Sequence, residues 1–233
     1  MLSTLRRRLP LGMRADAVEL LDSGRLSLSE VTANLDDLAR LNRLPGGTAA
    51  SMAAIARLAP GDDLRVLDVG TGGGDVPLAF ARRGWTTVAT DTNPAVLGVA
   101  RRQVAHEPRI DLVEADGRAL PFEDGAFDVA HCSLLVHHLD PADAVTLLRE
   151  LRRVARHGVV VNDLRRGFVP LLATGVSIAL LARSRVTRSD GLVSARRAYT
   201  LDELDALLGR AGLRARWRSS GWMPRVVTTA VAA

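Results

Sequence analysis

The stretch that decides the fold is residues 64–75, which read LRVLDVGTGGGD. An apolar run ends at glycines, and a helical pattern follows them as far as residue 83. Glycines at such a junction permit positive φ angles and let a ligand approach the backbone. The pattern predicts a buried strand, a tight loop and a helix, the first unit of a sheet that binds a ligand at the carboxyl ends of its strands.

The spacing of these glycines excludes two common phosphate-binding loops. A dinucleotide-binding loop has glycines at its first, third and sixth positions, but the sixth position counted from Gly70 is Asp75. An acid at the N-terminus of the helix would repel a pyrophosphate. The P-loop requires a lysine, and the chain contains none. Counted from Gly70, the loop instead has glycines at the first, third and fifth positions, and an acid, Asp68, precedes it.

Short apolar runs and helical segments alternate from residue 64 onward. The runs predict strands at 64–69, 86–90, 110–113, 127–132, 158–161, 213–218 and 226–231. Asn93, Asp140 and Thr200 are predicted to cap helices that lie between these strands. The alternation predicts an α/β fold with a Rossmann-like, doubly wound sheet of seven mainly parallel strands.

Two helical regions are predicted outside this alternation. Residues 1–60 are expected to form an N-terminal helical cap, in which Ser27 or Ser29 caps a helix. Residues 168–199 are expected to form a helical insert after the fifth strand. We expect residues 61–233 to form the main domain, with the N-terminal cap completing a single structural domain.

Composition narrows the range of functions. The 31 basic and 26 acidic residues give a net charge of +5 without a dense basic stripe, and only 3% of residues are aromatic. We therefore expect no binding to nucleic acid. Cys132 is the only cysteine, which excludes an intramolecular disulfide and fits a reducing compartment. The histidines and this cysteine lack the spacing of metal ligands, so no metal site is expected.

The chain carries no pattern typical of export or of a membrane span. Residues 1–14 lack an apolar segment of the kind found in a signal peptide. The apolar run 168–182 is too short for a simple span, although the arginines within 183–188 would allow contact with a membrane surface. We expect a cytoplasmic protein that is a monomer or a homodimer.

Four motifs in order resemble those of the class I S-adenosylmethionine-dependent methyltransferases. The first is Asp68 with its Gly-x-Gly-x-Gly loop, and the second is Asp91, 23 residues further on. The third is Asp116 followed by Gly117, and the fourth is LPFEDGAFD at 120–128. The resemblance covers about residues 45–163 well and the C-terminal third loosely. Its subtype is similar to the small-molecule methyltransferases of the quinone and phenol type.

The resemblance implies S-adenosylmethionine as the cofactor and assigns residues to its parts. Asp91 would accept hydrogen bonds from the ribose hydroxyls, Asp116 and Gly117 would meet the adenine, and Asp68 with the Gly70 carbonyl would meet the ammonium group. Arg43 could meet the carboxylate of the cofactor. The predicted cofactor-binding residues are Asp68, Gly70, Thr71, Gly72, Gly74, Asp91, Thr92, Asp116, Gly117 and Ser133.

The acceptor side is predicted from residues at the ends of the fourth and fifth strands. Ionising a phenol near neutral pH requires a base, and histidine is the usual one. His138 and His137 are therefore the predicted catalytic residues, whereas His131, inside a strand, is expected to be structural. Predicted acceptor-binding residues are His137, Asn162, Asp163 and Arg165. Asp163 would contact an acceptor hydroxyl or pair with an arginine.

The predicted activity is methyl transfer to a small aromatic or polyketide-like molecule that carries a hydroxyl group, with O-methylation favoured over C-methylation. The apolar run 168–182 would cover the acceptor pocket, or it would be an ordinary core or dimer helix. Two alternatives stay open. One is a nicotinamide-dependent oxidoreductase, which Asp75 disfavours, and the other is a non-catalytic relative that binds the cofactor.

Overall fold

The computed structural model describes residues 14–15, 17, 19–21, 25–219 and 224–233. Within these residues, α-helices run over Leu28–Leu41 (α1), Thr48–Leu58 (α2), Asp75–Arg82 (α3), Pro94–Val104 (α4), Pro141–Val154 (α5), Phe168–Leu181 (α6), Arg185–Arg197 (α7) and Leu201–Arg210 (α8). Strands run over Arg65–Val69 (β1), Thr86–Asp91 (β2), Ile110–Glu114 (β3), Phe127–Ser133 (β4), Ala155–Leu164 (β5), Leu213–Arg218 (β6) and Arg225–Ala232 (β7). The predicted lack of an export signal in residues 1–14 lies outside the described residues, apart from Arg14.

The strands form one seven-stranded sheet in the order β3-β2-β1-β4-β5-β7-β6. The first five strands run parallel to one another, and β7 runs antiparallel to both β5 and β6. This arrangement confirms the predicted mainly parallel sheet. The strand order reverses between β1 and β4, so their carboxyl ends diverge into a crevice where sheets of this kind bind ligands.

The helices pack on both faces of the sheet. On one face, α2 and α3 bury Ile55 and Phe80 against the central strands. On the other face, α5 and α8 bury Leu148 and Leu208. The central strands have apolar side chains pointing to both faces, as expected for parallel strands that are covered on both sides.

Local side-chain chemistry sets several helix starts. Ser27 accepts a hydrogen bond from the N–H of Glu30 while the Glu30 carboxylate accepts one from the N–H of Ser27, which is a reciprocal capping box. Thr200 begins α8 with the same box, and Asn93 caps α4 through its side-chain oxygen. These caps agree with the prediction, and Ser27 rather than Ser29 is the capping residue of α1.

The predicted cap at Asp140 is wrong. Asp140 occupies the N-cap position of α5, but its side chain makes no capping hydrogen bond. Its Oδ1 instead lies 3.3 Å from Nη1 of Arg14. Pro141 stands at the first helical position, where it removes one of the N–H groups that would need a cap.

The insert after β5 consists of α6 and α7, which pack against each other and against α1. Asp37 of α1 accepts hydrogen bonds from the backbone N–H groups of Arg183 and Ser184 between the two helices. Asn34 of α1 donates to Thr187 at 3.0 Å. None of the helices in the described part of the chain is both long enough and apolar enough to cross a membrane.

Candidate active site

Two adjoining cavities lie at the carboxyl ends of the central strands. The first, here called the polar cavity, has a volume of about 500 Å³ and is lined by the glycine loop and by the ends of β1, β2 and β4. The second, the apolar cavity, has a volume of about 540 Å³ and is lined largely by α1, α6 and α7. Four residues line both cavities: Leu21, Leu38, Leu134 and His138.

The glycine loop adopts the left-handed backbone that its sequence predicts. The φ angles of Gly70, Gly72 and Gly74 are 73°, 57° and 86°. The N–H groups of Gly70 and Thr71 donate to the carbonyl of Thr90, which ties the loop to β2. A Cβ at position 70 would also lie 3.1 Å from the Leu135 side chain. Glycine is therefore required there for both conformation and space.

Asp91 at the end of β2 is held by the backbone. Its Oδ2 accepts from the N–H of Gly72 at 3.2 Å, and its Oδ1 accepts from the N–H of Asn93 at 3.0 Å. Burial raises the pKa of Asp91 above the ordinary value for an aspartate, because the ionised form loses water. Thr92, the next residue, also lines the polar cavity.

Asp68 connects the polar cavity to the core. Its Oδ1 lies 2.7 Å from Nδ1 of His131, and Nε2 of His131 lies 2.9 Å from the Ser51 hydroxyl. Within the described residues, Asp68 Oδ2 and Thr71 Oγ1 are buried without a hydrogen-bond partner. Such atoms are costly unless a ligand satisfies them. His131 is fully buried and orients Asp68.

Asp116 and Gly117 form the wall of the polar cavity beyond β3. Arg118 pairs with Asp116 at 2.8 Å and with Asp143 at 2.6 Å, and the hydrogen bond from Arg118 holds the pKa of Asp116 below its usual range. A Cβ at position 117 would lie 2.7 Å from both Leu147 Cδ1 and Val69 Cγ1. Any residue other than glycine would push these core side chains aside or narrow the cavity.

Arg225 was not predicted from the sequence, although it organises the site. It is buried at the start of β7, and its three nitrogens donate to Asn162 Oδ1, Asn42 Oδ1 and Ser133 Oγ at 3.0, 2.6 and 2.6 Å. Burial lowers the pKa of Arg225 to about 10, so it is still charged at neutral pH. Asn42 donates in turn to Asp75 at 2.9 Å.

Two predicted contacts have other positions in the structure. The side chain of Asn162 is fully buried and donates to the carbonyls of Gly46 and Gly47 and to the Ser51 hydroxyl, so it supports α2 rather than lining a cavity. Arg165 follows β5 and pairs by its backbone with Tyr199. Neither residue belongs to the described lining of the two cavities. Arg43 is exposed, and Asn42 beside it lines the polar cavity instead.

His137 and His138 lie in the 3₁₀ turn Val136–His138 after β4. The turn follows Leu134, the only non-glycine among the described residues with a positive φ, at 52°. Strained backbone of this kind is common at functional sites. Arg14 donates to the carbonyl of His137 at 2.8 Å, and Arg197 donates to that of His138. The turn is therefore held from outside by two arginines.

Asp163 pairs with His137, so the prediction that it pairs with an arginine is wrong. The His137 Nδ1 lies 2.5 Å from Asp163 Oδ1, and the N–H of His137 donates to Asp163 Oδ2 at 3.1 Å. Burial by itself would raise the pKa of Asp163. The charge and hydrogen bonds of His137, with the N–H of Leu164, outweigh burial and hold that pKa below its usual value. The carboxylate of Asp163 therefore fixes the orientation of the His137 ring.

Glu19 is a second residue that was not predicted. Its buried carboxylate lines the apolar cavity and faces both histidines: Oε1 lies 3.9 Å from Nε2 of His137, and Oε2 lies 3.7 Å from Nε2 of His138. No signal in the sequence connects Glu19 with a pair of histidines more than a hundred residues further along the chain. His138, with 21% of its side chain exposed, is the more accessible of the two histidines.

The comparisons with known proteins agree with this architecture. The family model described as "Methyltransferase domain" matches residues 66–158. A demethylmenaquinone methyltransferase of Clavibacter sepedonicus is 30% identical over 173 residues, which cover 73% of this chain and 69% of that protein. An uncharacterized methyltransferase of Synechocystis sp. is 32% identical over 137 residues, 58% of this chain and 59% of that protein.

A solved structure shares the fold over nearly the whole chain. The S-adenosylmethionine-dependent methyltransferase from Aquifex aeolicus superposes with a TM-score of 0.65 at 17% identity, covering 90% of this chain and 100% of that one. The sheet order, the glycine loop and the acids around the polar cavity define a class I S-adenosylmethionine-dependent methyltransferase. Within that class, the chain belongs to the quinone-type family that includes the relative from C. sepedonicus. The oxidoreductase and non-catalytic alternatives are therefore set aside.

Proposed function

We propose that this methyltransferase acts on a hydroxyl oxygen of a lipophilic aromatic or polyketide-like acceptor that occupies the apolar cavity. The observation that carries the proposal is the meeting of the two cavities at His138, which lines both. The surface of the apolar cavity is largely apolar, and the histidine pair lies where it meets the polar cavity, which suits an apolar molecule with one polar head. The name of the relative from C. sepedonicus points to a quinone-type acceptor for that protein.

The polar cavity has the donor and acceptor groups that S-adenosylmethionine needs. Asp68, Asp75, Asp91 and Asp116 all line it, so it attracts a cationic ligand. We assign the unpartnered Oδ2 of Asp68, with the Gly70 carbonyl, to the ammonium group of the cofactor. Asp91 is assigned to the ribose hydroxyls. Asp116 and Gly117 are assigned to the adenine, with Gly117 leaving room for the ring.

Bound S-adenosylmethionine supplies a methyl group on a positively charged sulfur, which an acceptor atom displaces in one step as the carbon–sulfur bond breaks and its electron pair stays on the sulfur. The protein has to orient the acceptor, exclude water and remove the hydroxyl proton. The His137–His138 pair lines the apolar cavity, and Asp163 fixes the orientation of the His137 ring. We assign the binding and ionisation of the acceptor hydroxyl to this pair, which favours O-methylation.

An exposed apolar face of α6 supports delivery of the acceptor from a membrane surface. Phe168, Leu172 and Leu180 are 70%, 60% and 77% exposed, and Leu172 also lines the apolar cavity. Exposed Arg183 and Arg188 follow this face, and cations there favour an anionic lipid surface. We assign the face to peripheral contact with anionic membranes.

The vesicle experiment measures how much protein sediments with vesicles rich in phosphatidylglycerol. This amount should fall for Leu180→Ser and stay unchanged for Leu28→Ser, which replaces an exposed leucine on α1. Equal sedimentation of the two variants contradicts the assignment.

The central experiment is a methyl-transfer assay with isotopically labelled S-adenosylmethionine and alkylated phenols, resorcinols and quinols. Nuclear magnetic resonance of the product distinguishes a methoxy group from a ring methyl group. Ala173→Phe, which fills the apolar cavity, should lower kcat/KM for alkylated acceptors without weakening cofactor binding. Ala179→Phe on the exposed side of the same helix is the matched control. A ring-methylated product would contradict O-transfer, and equal activity of the two variants would contradict the acceptor site.

A further inference from the structure

Three metal-ligand side chains converge at the end of the apolar cavity where it meets the polar cavity. The carboxylate of Glu19 and the imidazoles of His137 and His138 each offer one ligand atom, and these atoms all lie within 4.8 Å of one another. Both Nε2 atoms face the same carboxylate, at 3.9 and 3.7 Å. These separations are too long for hydrogen bonds but close to the spacing of two ligands around one ion, about 3.4 Å for tetrahedral bonds of about 2.1 Å.

An unpartnered carboxylate oxygen in the cluster favours the binding of a cation. Nδ1 of His137 is occupied by Asp163 at 2.5 Å, which leaves Nε2 as the ring nitrogen that faces Glu19. In the described part of the chain, the buried Oε1 of Glu19 has no hydrogen-bond partner. A buried carboxylate oxygen without a partner is costly unless another group satisfies it. A cation bound among the three side chains would satisfy it.

We propose that Glu19, His137 and His138 bind a divalent transition-metal ion of the Zn²⁺ type. Two imidazole nitrogens with one carboxylate oxygen form a donor set that zinc and its neighbours favour, and three protein ligands leave a coordination position open. Asp163 would act behind His137, since metal-bound histidines usually donate their other N–H to a carboxylate or carbonyl. The open position would face the apolar cavity, which all three ligands line.

This inference rests on the proposed function and deepens it. An acceptor hydroxyl at the open position would bind the ion through oxygen; its O–H bond would break, the proton would pass to water, and the oxygen would keep the electron pair. A bound cation lowers the pKa of a coordinated hydroxyl as it does that of bound water. The ion would therefore ionise the acceptor in place of a free imidazole base, and it would select acceptors with a hydroxyl head group.

The test uses full-length protein without a histidine tag, after removal of metals with a chelator. Calorimetric titration with ZnCl₂ should give one site per chain, and Co²⁺ should produce the visible absorption of a nitrogen- and oxygen-ligated ion. Glu19→Gln and His138→Gln should lose this site. Asp163→Asn should weaken it about 10- to 100-fold, as expected for a group behind a ligand. His157→Gln, an exposed histidine elsewhere, is the matched control.

The outcomes separate the metal site from the proposed function. Binding of S-adenosylhomocysteine by each variant at wild-type affinity checks that it is folded. The metal site is overturned if the wild type does not bind Zn²⁺, or if Glu19→Gln binds it with wild-type affinity. If methyl transfer then persists in the presence of a chelator, His138 itself removes the proton of the acceptor. One-to-one binding that requires Glu19, with no transfer to any hydroxylated acceptor, supports the metal site and overturns the proposed acceptor.

Discussion

The polar and apolar cavities are built in different ways. The polar cavity is lined mainly by short contiguous segments, above all residues 70–73 of the glycine loop and the ends of β2 and β3. Gly74, which was predicted to bind the cofactor, is not part of this lining. The apolar cavity combines Glu19, α1, the 3₁₀ turn, α6, α7 and Arg225, which are far apart in the sequence. Backbone geometry dominates the first, and long-range contacts between side chains dominate the second. A local motif can therefore define a cofactor site, whereas an acceptor site depends on the packing of the whole chain.

The buried acids that line the polar cavity differ in charge balance from Asp163, which lies behind His137 on the acceptor side. Asp91 and Asp75 have raised pKa values because burial removes water and no cation in the described structure offsets it fully. Asp163 has a lowered pKa because His137 and backbone N–H groups compensate for its burial. The polar cavity thus has negative charge that a cationic cofactor would stabilise. The charge of Asp163, in contrast, is compensated by His137 and backbone N–H groups, and Asp163 orients the His137 ring.

The largest expected effect is on turnover at the junction of the cavities. His138→Ala should lower kcat by roughly 100- to 10,000-fold, the usual contribution of general acid–base catalysis, because it removes a residue assigned to ionising the acceptor. Affinity for S-adenosylhomocysteine should not change, because the assigned cofactor contacts lie elsewhere. Steady-state kinetics with calorimetry measures both quantities, and His106→Ala, an exposed histidine, is the control. If His138→Ala keeps wild-type turnover, His138 has a packing role and takes no part in catalysis.

The next effect is confined to the polar cavity. Asp91→Ala removes two charge-assisted hydrogen bonds to the ribose, each worth about 1.5–3 kcal/mol, so cofactor affinity should fall by 100-fold or more, on the order of 3 kcal/mol. Calorimetry with S-adenosylhomocysteine measures the change. Asp111→Ala, an exposed aspartate on β3, should bind as the wild type does. Undiminished affinity of Asp91→Ala would refute the ribose assignment.

A smaller effect tests the backbone requirement of the polar cavity. Gly117→Ala places a Cβ 2.7 Å from Leu147 and Val69, and such overpacking should lower the free energy of unfolding by about 1–3 kcal/mol. Gly98→Ala, in a helix with no atom within 4 Å of the added carbon, should raise it by up to about 1 kcal/mol. Urea unfolding compares the two variants. A loss of the same size in both would show that crowding at Gly117 is not the cause.

The smallest effect appears at low pH on the acceptor side. Because the folded pKa of Asp163 lies below its unfolded value of 3.8, its contribution to stability is present above that value and is lost as the pH falls through the folded pKa. Below about pH 4 the wild type should therefore lose more unfolding free energy than Asp163→Asn does. Urea unfolding at a series of pH values measures this, and parallel curves for the two proteins would contradict the pairing with His137.

The sequence predicted the features that depend on local backbone chemistry. The glycine loop, the mainly parallel sheet implied by the alternation, and the caps at Ser27, Asn93 and Thr200 all follow from local sequence. The cap at Asp140 was wrong because a distant arginine competes for its carboxylate. The expectation of no metal site rested on spacing along the chain, and such spacing cannot register a side chain as distant as Glu19, which we propose as a ligand.

The sequence by itself determined the class of fold and the glycine loop and strand-end acids at which we place the cofactor, because left-handed glycines and acids at strand ends are requirements of the local backbone. Only the tertiary structure decided that Asp163 serves His137, that Arg225 joins β7 to α1 and β4, and that Glu19 meets the histidine pair. Those contacts join residues from 26 to 183 positions apart. Burial determines which residues pair in these contacts, because a buried charge is stable only beside a group that compensates it.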